Sequence, residues 1–172
     1  MDWSIRDVAP QEREALVGLW RRAVEATHHF LGAAQVDELE PQTRAELARA
    51  AIRVAVGPDG ALAGFLAGTG GAVDGLFVDP AVHGRGVGTA LLDDAAARHA
   101  VLTLDVNEQN PAARDWYARR GFVQTGRSET DDDGRPYPLL HLRRVTPPRP
   151  GPDRALQNDR RRDPREGTRD PE

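Results

Sequence analysis

The stretch LFVDPAVHGRGVGTALL, residues 76–92, constrains the fold more than any other part of this chain. An apolar strand ends at Asp79-Pro80, and a loop carrying Gly84, Gly86 and Gly88 runs straight into a segment whose Leu91, Leu92, Ala95 and Ala96 recur at helical spacing. A strand that turns this tightly into a helix exposes several backbone N–H groups at the positive end of the helix. Glycine's missing side chain lets an anion approach them closely. Pyrophosphate is the natural guest. The glycines by themselves leave a second reading open, a tight connection that needs glycine only for its geometry.

Two other phosphate motifs fail by letter. A nucleotide-binding P-loop needs Gly-Lys-Ser/Thr at the helix start, and the chain offers Gly88-Thr89 without lysine. A dinucleotide fingerprint G-x-G-x-x-G fails at Thr89, which stands where its last glycine belongs.

Around this turn the sequence alternates between strand and helix patterns. Ser4 to Val8 reads as an edge strand, and Pro10 opens a helix whose Ala15, Leu16, Leu19, Trp20 and Ala23 share one face. A second helix is expected around Pro41 to Ala51. Arg53 to Val56 and Leu62 to Ala67 form a hairpin across the turn GPDG, and Ala72 to Val78 is the next strand. VLTLDV is a buried strand, and Pro111 starts a helix that Gly121 can end. Phe122 to Glu129 and Tyr137 to Arg143 close the chain as a two-stranded arm. The order is strand, helices, three antiparallel strands, helix, strand, helix and a hairpin, which predicts an α/β fold with a mixed, mostly antiparallel sheet and flanking helices.

From Thr146 onward the text TPPRPGPDRALQNDRRRDPREGTRDPE holds almost no apolar side chain and cannot offset its ordering entropy by burial. Residues 1–145 are therefore read as one domain and residues 146–172 as a disordered tail. Its Arg and acidic residues nearly balance, which points to a solvated segment rather than a nucleic-acid patch.

Composition narrows the function. A net charge of −4 gives no global attraction to nucleic acid or to an anionic membrane. The chain has no cysteine, which excludes thiol catalysis, cysteine-held metal clusters and disulfides, and agrees with a reducing cytoplasmic location. No apolar run approaches the roughly 18 residues that span a bilayer, and the N-terminus lacks the basic-then-apolar layout of a secretory signal. All 23 residues counted as Lys+Arg are arginine, so the chain cannot acetylate a lysine of its own.

A second motif follows the glycine turn. Asn110, Ala113, Tyr117, Gly121 and Phe122 spell N-x-x-A-x-x-x-Y-x-x-x-G-F over the helix that follows VLTLDV. With His83-Gly84-Arg85-Gly86-Val87-Gly88 about twenty residues earlier, the two motifs in this order resemble the GCN5-related N-acetyltransferase (GNAT) family. That family's loop reads R/Q-G-x-G-x-G/A, and His83 departs from its first position. EATHHFL and GRSETDDDGRPYPLLHL are similar to a small bacterial branch of the same family, and the resemblance covers about residues 2 to 145.

The resemblance implies an acyl-CoA N-acyltransferase fold, acetyl-CoA as co-substrate with no metal, and transfer of its acetyl group to a primary amine of a small molecule, peptide or protein. It implies that backbone groups of Leu76, Phe77 and Val78 pair with the pantetheine arm like an added strand. His83, Gly84, Arg85, Gly86, Val87, Gly88 and Thr89 then hold the pyrophosphate. Tyr117 falls at the family position facing the CoA sulfur, where its phenol acts as general acid, and Asn110 contacts the cofactor, caps its helix, or does both. Asp74, Asp105, Glu108, Glu25, His28 and His29 are all candidates for the base, and the residue patterns do not choose among them. Monomer and homodimer also stay open. The competing function is a non-catalytic acyl-CoA-binding sensor.

Overall fold

Short β-branched and aromatic runs alternate here with helical stripes, and each element buries the face that its period supplies. The computed structural model describes residues 2–147; the segment read above as a disordered tail lies almost wholly outside the described residues. In order come β1 (Ser4–Asp7), a single 3-10 turn (Pro10–Glu12), α1 (Arg13–Thr27), α2 (Ala33–Leu47), β2 (Ile52–Val56), β3 (Leu62–Thr69) and β4 (Ala72–Val78). A second 3-10 turn (Pro80–Val82) leads to α3 (Val87–Arg98), β5 (Val101–Asn107), α4 (Pro111–Ala118), β6 (Val123–Ser128) and β7 (Leu139–Val145).

The strands form one seven-stranded sheet in the order β1-β2-β3-β4-β5-β7-β6. All neighbours run antiparallel except β4 and β5, which are parallel. This is the mixed, mostly antiparallel architecture expected. The closing hairpin enters the sheet through β7, which pairs along its whole length with β5 and leaves β6 at the edge.

One element differs from the sequence reading. The second helix starts at Ala33, and Pro41 lies inside it rather than at its first turn. Gly32, extended at φ −76 and ψ 165, ends the preceding segment and lets the helix begin. Pro41 is exposed, so the backbone hydrogen bond it forgoes is lost on the solvent side, where water substitutes. Only Val36 and Leu47 of this helix are buried, too few to write a readable stripe.

The core has two layers, one on each face of the sheet. Leu91 and Leu92 of α3 pack with Leu102, Leu104, Leu140 and Leu142 on one face, and Leu16, Leu19 and Trp20 of α1 pack with Val54 and Phe65 on the other. A fully buried side chain such as Leu92 or Phe65 is worth about 1.5–3 kcal/mol in transfer free energy, so both helices are anchored firmly against the sheet.

The feature that positions the site lies between β4 and β5. Their parallel pairing joins Ala72 to Thr103 and Val73 to Leu104, and among the described residues it goes no further. Across β4, the register with β3 shifts: Gly68 faces Val73 but Ala67 faces Gly75, so Asp74 is an extra, bulged residue. A bulge bends its strand and sharpens the local twist. Beyond Asp74, β4 diverges from β5, and the sheet opens into a wedge in its middle.

Candidate active site

The wedge holds a cleft of about 790 Å³ lined by β4 from Val73 to Val78, β5 from Leu104 to Asn107, the start of α3 and one face of α4. The C-terminal end of α1 supplies Ala23, Thr27, His28 and His29 to its other rim. Leu76, Phe77 and Val78 therefore run along the cleft with one strand edge facing β3 and the other released from β5.

At one end of the cleft lies the glycine turn. Gly84 and Gly86 have φ of +75 and +84, a left-handed backbone that side chains resist, and Gly86 is the N-cap residue of α3. The first intrahelical bond runs from the Ala90 amide to the Gly86 carbonyl. The amides of Val87, Gly88 and Thr89 precede it and have no helical acceptor. Together with the helix dipole they give this end of the cleft a positive potential. Gly88 serves a different purpose: a Cβ there would stand 3.0 Å from Trp116, so the missing side chain lets α4 close against α3.

Two residues of the loop are engaged elsewhere. The Arg85 amide donates to the Val82 carbonyl, its carbonyl accepts from the Trp3 indole at 2.9 Å, and Arg85 does not line the cleft. His83 lines the cleft but directs Nε2 to the Val78 carbonyl at 3.1 Å.

At the other end, Asn110 is buried and caps α4, its Oδ1 accepting from the Ala113 amide at 3.1 Å. Tyr117 follows two turns later on the face that lines the cleft, its ring edge-on to Trp116 and Phe122 at centroid distances of 5.0 and 5.4 Å. Burial pushes its phenol up to about 12, against a small opposing pull from Arg120, so the hydroxyl keeps its proton throughout the neutral range.

The sequence profile of the Acetyltransferase (GNAT) domain matches residues 21–138. A peptidyl-lysine N-acetyltransferase of Escherichia coli K12, YjaB, is 47% identical over 139 residues, which are 81% of this chain and 95% of that protein. The solution structure of apo YjaB from Escherichia coli superposes with a TM-score of 0.80 at 46% identity, covering 85% of this chain and 99% of the other. The PaiA N-acetyltransferase of Thermoplasma acidophilum, crystallised with coenzyme A, shares the fold at a TM-score of 0.68 and 18% identity, covering 84% of this chain and 99% of that one. The chain belongs to the GNAT acetyltransferase family.

The GNAT cleft sorts the six candidate bases by position. Glu25 is exposed and paired with Arg21 at 2.9 Å, and Glu108 is held by two Arg127 nitrogens at 2.8 Å each; neither lines the cleft. The Arg127 bonds keep the Glu108 carboxyl below the usual carboxylate range. Asp74, Asp105, His28 and His29 all line it. Asp105 is bound to His141 Nδ1 at 2.5 Å, and His141 Nε2 reaches the Ser128 hydroxyl at 2.7 Å. The Asp74 carboxyl is raised above its ordinary range by desolvation, with a further contribution from Glu46. Burial, reinforced by His29, pushes the His28 imidazole down to about 4.

The structure adds two GNAT cleft residues that the sequence reading passed over. Arg120 stacks 3.6 Å above the Trp116 ring and donates to the Thr89 hydroxyl at 2.9 and 3.2 Å, bringing a guanidinium beside the free amides of α3. The i, i+4 spacing of Trp116 and Arg120 was the available signal, since such pairs meet on one helical face. Among the described residues no group of three or more His, Asp or Glu side chains is arranged to hold a metal, and no helix is long and apolar enough to cross a membrane.

Proposed function

We propose that this protein transfers the acetyl group of acetyl-CoA to the ε-amine of a lysine side chain in a peptide or protein. The observation that carries the reading is the wedge between β4 and β5, a released strand edge that leads directly to unpaired amides at a helix N-terminus. An extended arm ending in a pyrophosphate matches that combination: Leu76, Phe77 and Val78 pair with the pantetheine, and Gly84, Gly86, Val87, Gly88 and Thr89 hold the phosphates with Arg120 beside them. Arg85 leaves this set because its amide is already bonded. His83 and Asn110 shape the cleft through the Val78 carbonyl and the α4 cap. The lysine acceptor is supported by the 47% identical relative named as a peptidyl-lysine N-acetyltransferase.

In this reading the acceptor enters from the α1 side. A lysine ammonium, with an ordinary pKa near 10.4, must lose a proton before attack. Asp74 takes it, because desolvation raises its carboxyl above the ordinary range, whereas Asp105 is committed to His141. The amine nitrogen then attacks the thioester carbon, the C–N bond forms, the C–S bond breaks, and the nitrogen releases its second proton to solvent as it becomes the amide. Tyr117 gives its hydroxyl proton to the departing thiolate and recovers one from solvent. Positioning by β4 and polarisation of the carbonyl by backbone N–H groups supply the rest of the acceleration.

The test is release of free CoA by the full chain with acetyl-CoA and an amine panel: lysine peptides, the same peptides with acetylated lysine, and small polyamines. Turnover confined to free lysine side chains, with the acetyl group located there by mass spectrometry, is the expected result. Tight acetyl-CoA binding without turnover on any amine would instead identify the non-catalytic sensor. Turnover on polyamines alone would replace the acceptor.

A further inference from the structure

Resting on the lysine reading, we propose that His28 is the acceptor-positioning group of this site: its Nε2 accepts a hydrogen bond from the uncharged ε-amine and holds the nitrogen for attack on the thioester.

The argument starts from one hydroxyl proton. Thr27 Oγ1 donates it to the Ala23 carbonyl at 2.7 Å, within the last turn of α1. The same oxygen lies 2.8 Å from His28 Nδ1, and having spent its proton it can only accept there. His28 therefore carries its proton on Nδ1, and Nε2 presents a lone pair on a side chain that lines the cleft.

The ring is fixed as well as oriented. Phe30 packs against it at a centroid distance of 5.4 Å, and Tyr137, from the connection between β6 and β7, packs on Phe30 at 5.8 Å. The end of α1 and the closing arm are thus joined by an aromatic row, and a preorganised acceptor loses little entropy on binding.

The chemistry needs such a group. Asp74 and Asp105 attract the ammonium on arrival, but once the proton has gone a carboxylate no longer distinguishes a productive pose. A neutral imidazole lone pair can hold one remaining N–H while the amine lone pair stays free. Burial disfavours the charged imidazolium, so His28 offers a lone pair rather than taking up the proton. His29 is adjacent and also lines the cleft, while Glu25, one turn back, is tied to Arg21. Deprotonation and orientation are divided between Asp74 and His28.

Two substitutions separate this role from a structural one. His28→Asn keeps a donor near Nδ1 for Thr27 and deletes the acceptor at Nε2; His28→Gln places an amide oxygen near Nε2 and gives up the Thr27 bond. With the full chain and a lysine peptide, His28→Asn is expected to lose about tenfold or more in kcat/KM for the peptide. Its acetyl-CoA affinity by calorimetry should stay at the wild-type value. His28→Gln should stay within about threefold of wild type. Equal activity in all three proteins would overturn the proposal, as would the reverse order, in which the Thr27 bond is what matters. Loss of acetyl-CoA affinity in step with turnover would overturn it too. A wild-type protein that acetylates amines other than lysine would overturn the acceptor assignment, whereas an unaffected His28→Asn on an active lysine substrate would overturn only His28.

Discussion

Acid should destabilise this fold through His28. The imidazole sits near 6.5 in an unfolded chain and is pushed down to about 4 in the fold by burial, with His29 adding to the effect. Above pH 6.5 neither state carries the proton, and below about 4 both do. Between these limits the unfolded chain binds a proton that the folded chain excludes, so stability rises with pH across the window. At about 1.4 kcal/mol per pKa unit the whole window is worth about 3 kcal/mol, and acidification from pH 7 to 5 should remove about 2 kcal/mol. That is a sizeable part of the roughly 5–15 kcal/mol typical of a domain. Glu12 does not confuse the measurement: bonds from Arg6 and the Ala9 amide hold it near 2, so its contribution is lost only below about 4.5. Urea titrations at pH 7 and 5 should show the wild-type midpoint falling by about 1 M, given slopes of roughly 1–3 kcal/mol per molar. His28→Gln has no group that titrates in this window and should lose clearly less. If both proteins lose the same stability between pH 7 and 5, the neutral, desolvated His28 is wrong.

Four further outcomes are expected. Tyr117→Phe keeps the ring against Trp116 and Phe122 but removes the proton donor, so kcat should fall by about 10²–10⁴ with acetyl-CoA affinity unchanged; unaltered kcat with chemistry rate-limiting would exclude Tyr117 as the acid. Asp74→Asn should lower kcat/KM for the amine at neutral pH and recover as pH approaches the amine's own pKa; a uniform loss at every pH would point to binding instead. Gly86→Leu should cost about 1–2 kcal/mol of stability from its left-handed backbone and weaken acetyl-CoA binding at least tenfold, measured by calorimetry, because the added side chain stands at the amides proposed to receive the pyrophosphate. Removing residues after Pro147 should leave melting temperature and acetyl-CoA binding unchanged; the cut is placed there because the Thr146 amide bonds the Ala100 carbonyl at 2.7 Å.

Local physics made much of the molecule legible. A glycine that must adopt positive φ, a proline at a helix start and an asparagine that caps the next turn each act within a few residues, so their letters placed the α3 loop and α4 directly. The helix α2 escaped because nearly all of it faces solvent, and a helix with two buried residues carries no periodic signal. Pro41 then drew the predicted start to the one position where proline is usually welcome.

What the sequence by itself determined was the order of elements, the strand-to-helix turn and the family, since backbone conformation and motif spacing are written along the chain. The tertiary structure alone decided where β4 and β5 part, which carboxylates reach the cleft and how deeply His28 is buried. Asp74 and Asp105 lie far apart in sequence and line one cleft because β4 and β5 pair in parallel just before the bulge opens the sheet. Glu108 looked as suitable a base as Asp74 until Arg127, from β6, claimed it. The reason is physical: a side chain's charge, solvation and hydrogen-bond partners are properties of its neighbours in space, and the sequence specifies those neighbours only through the completed fold.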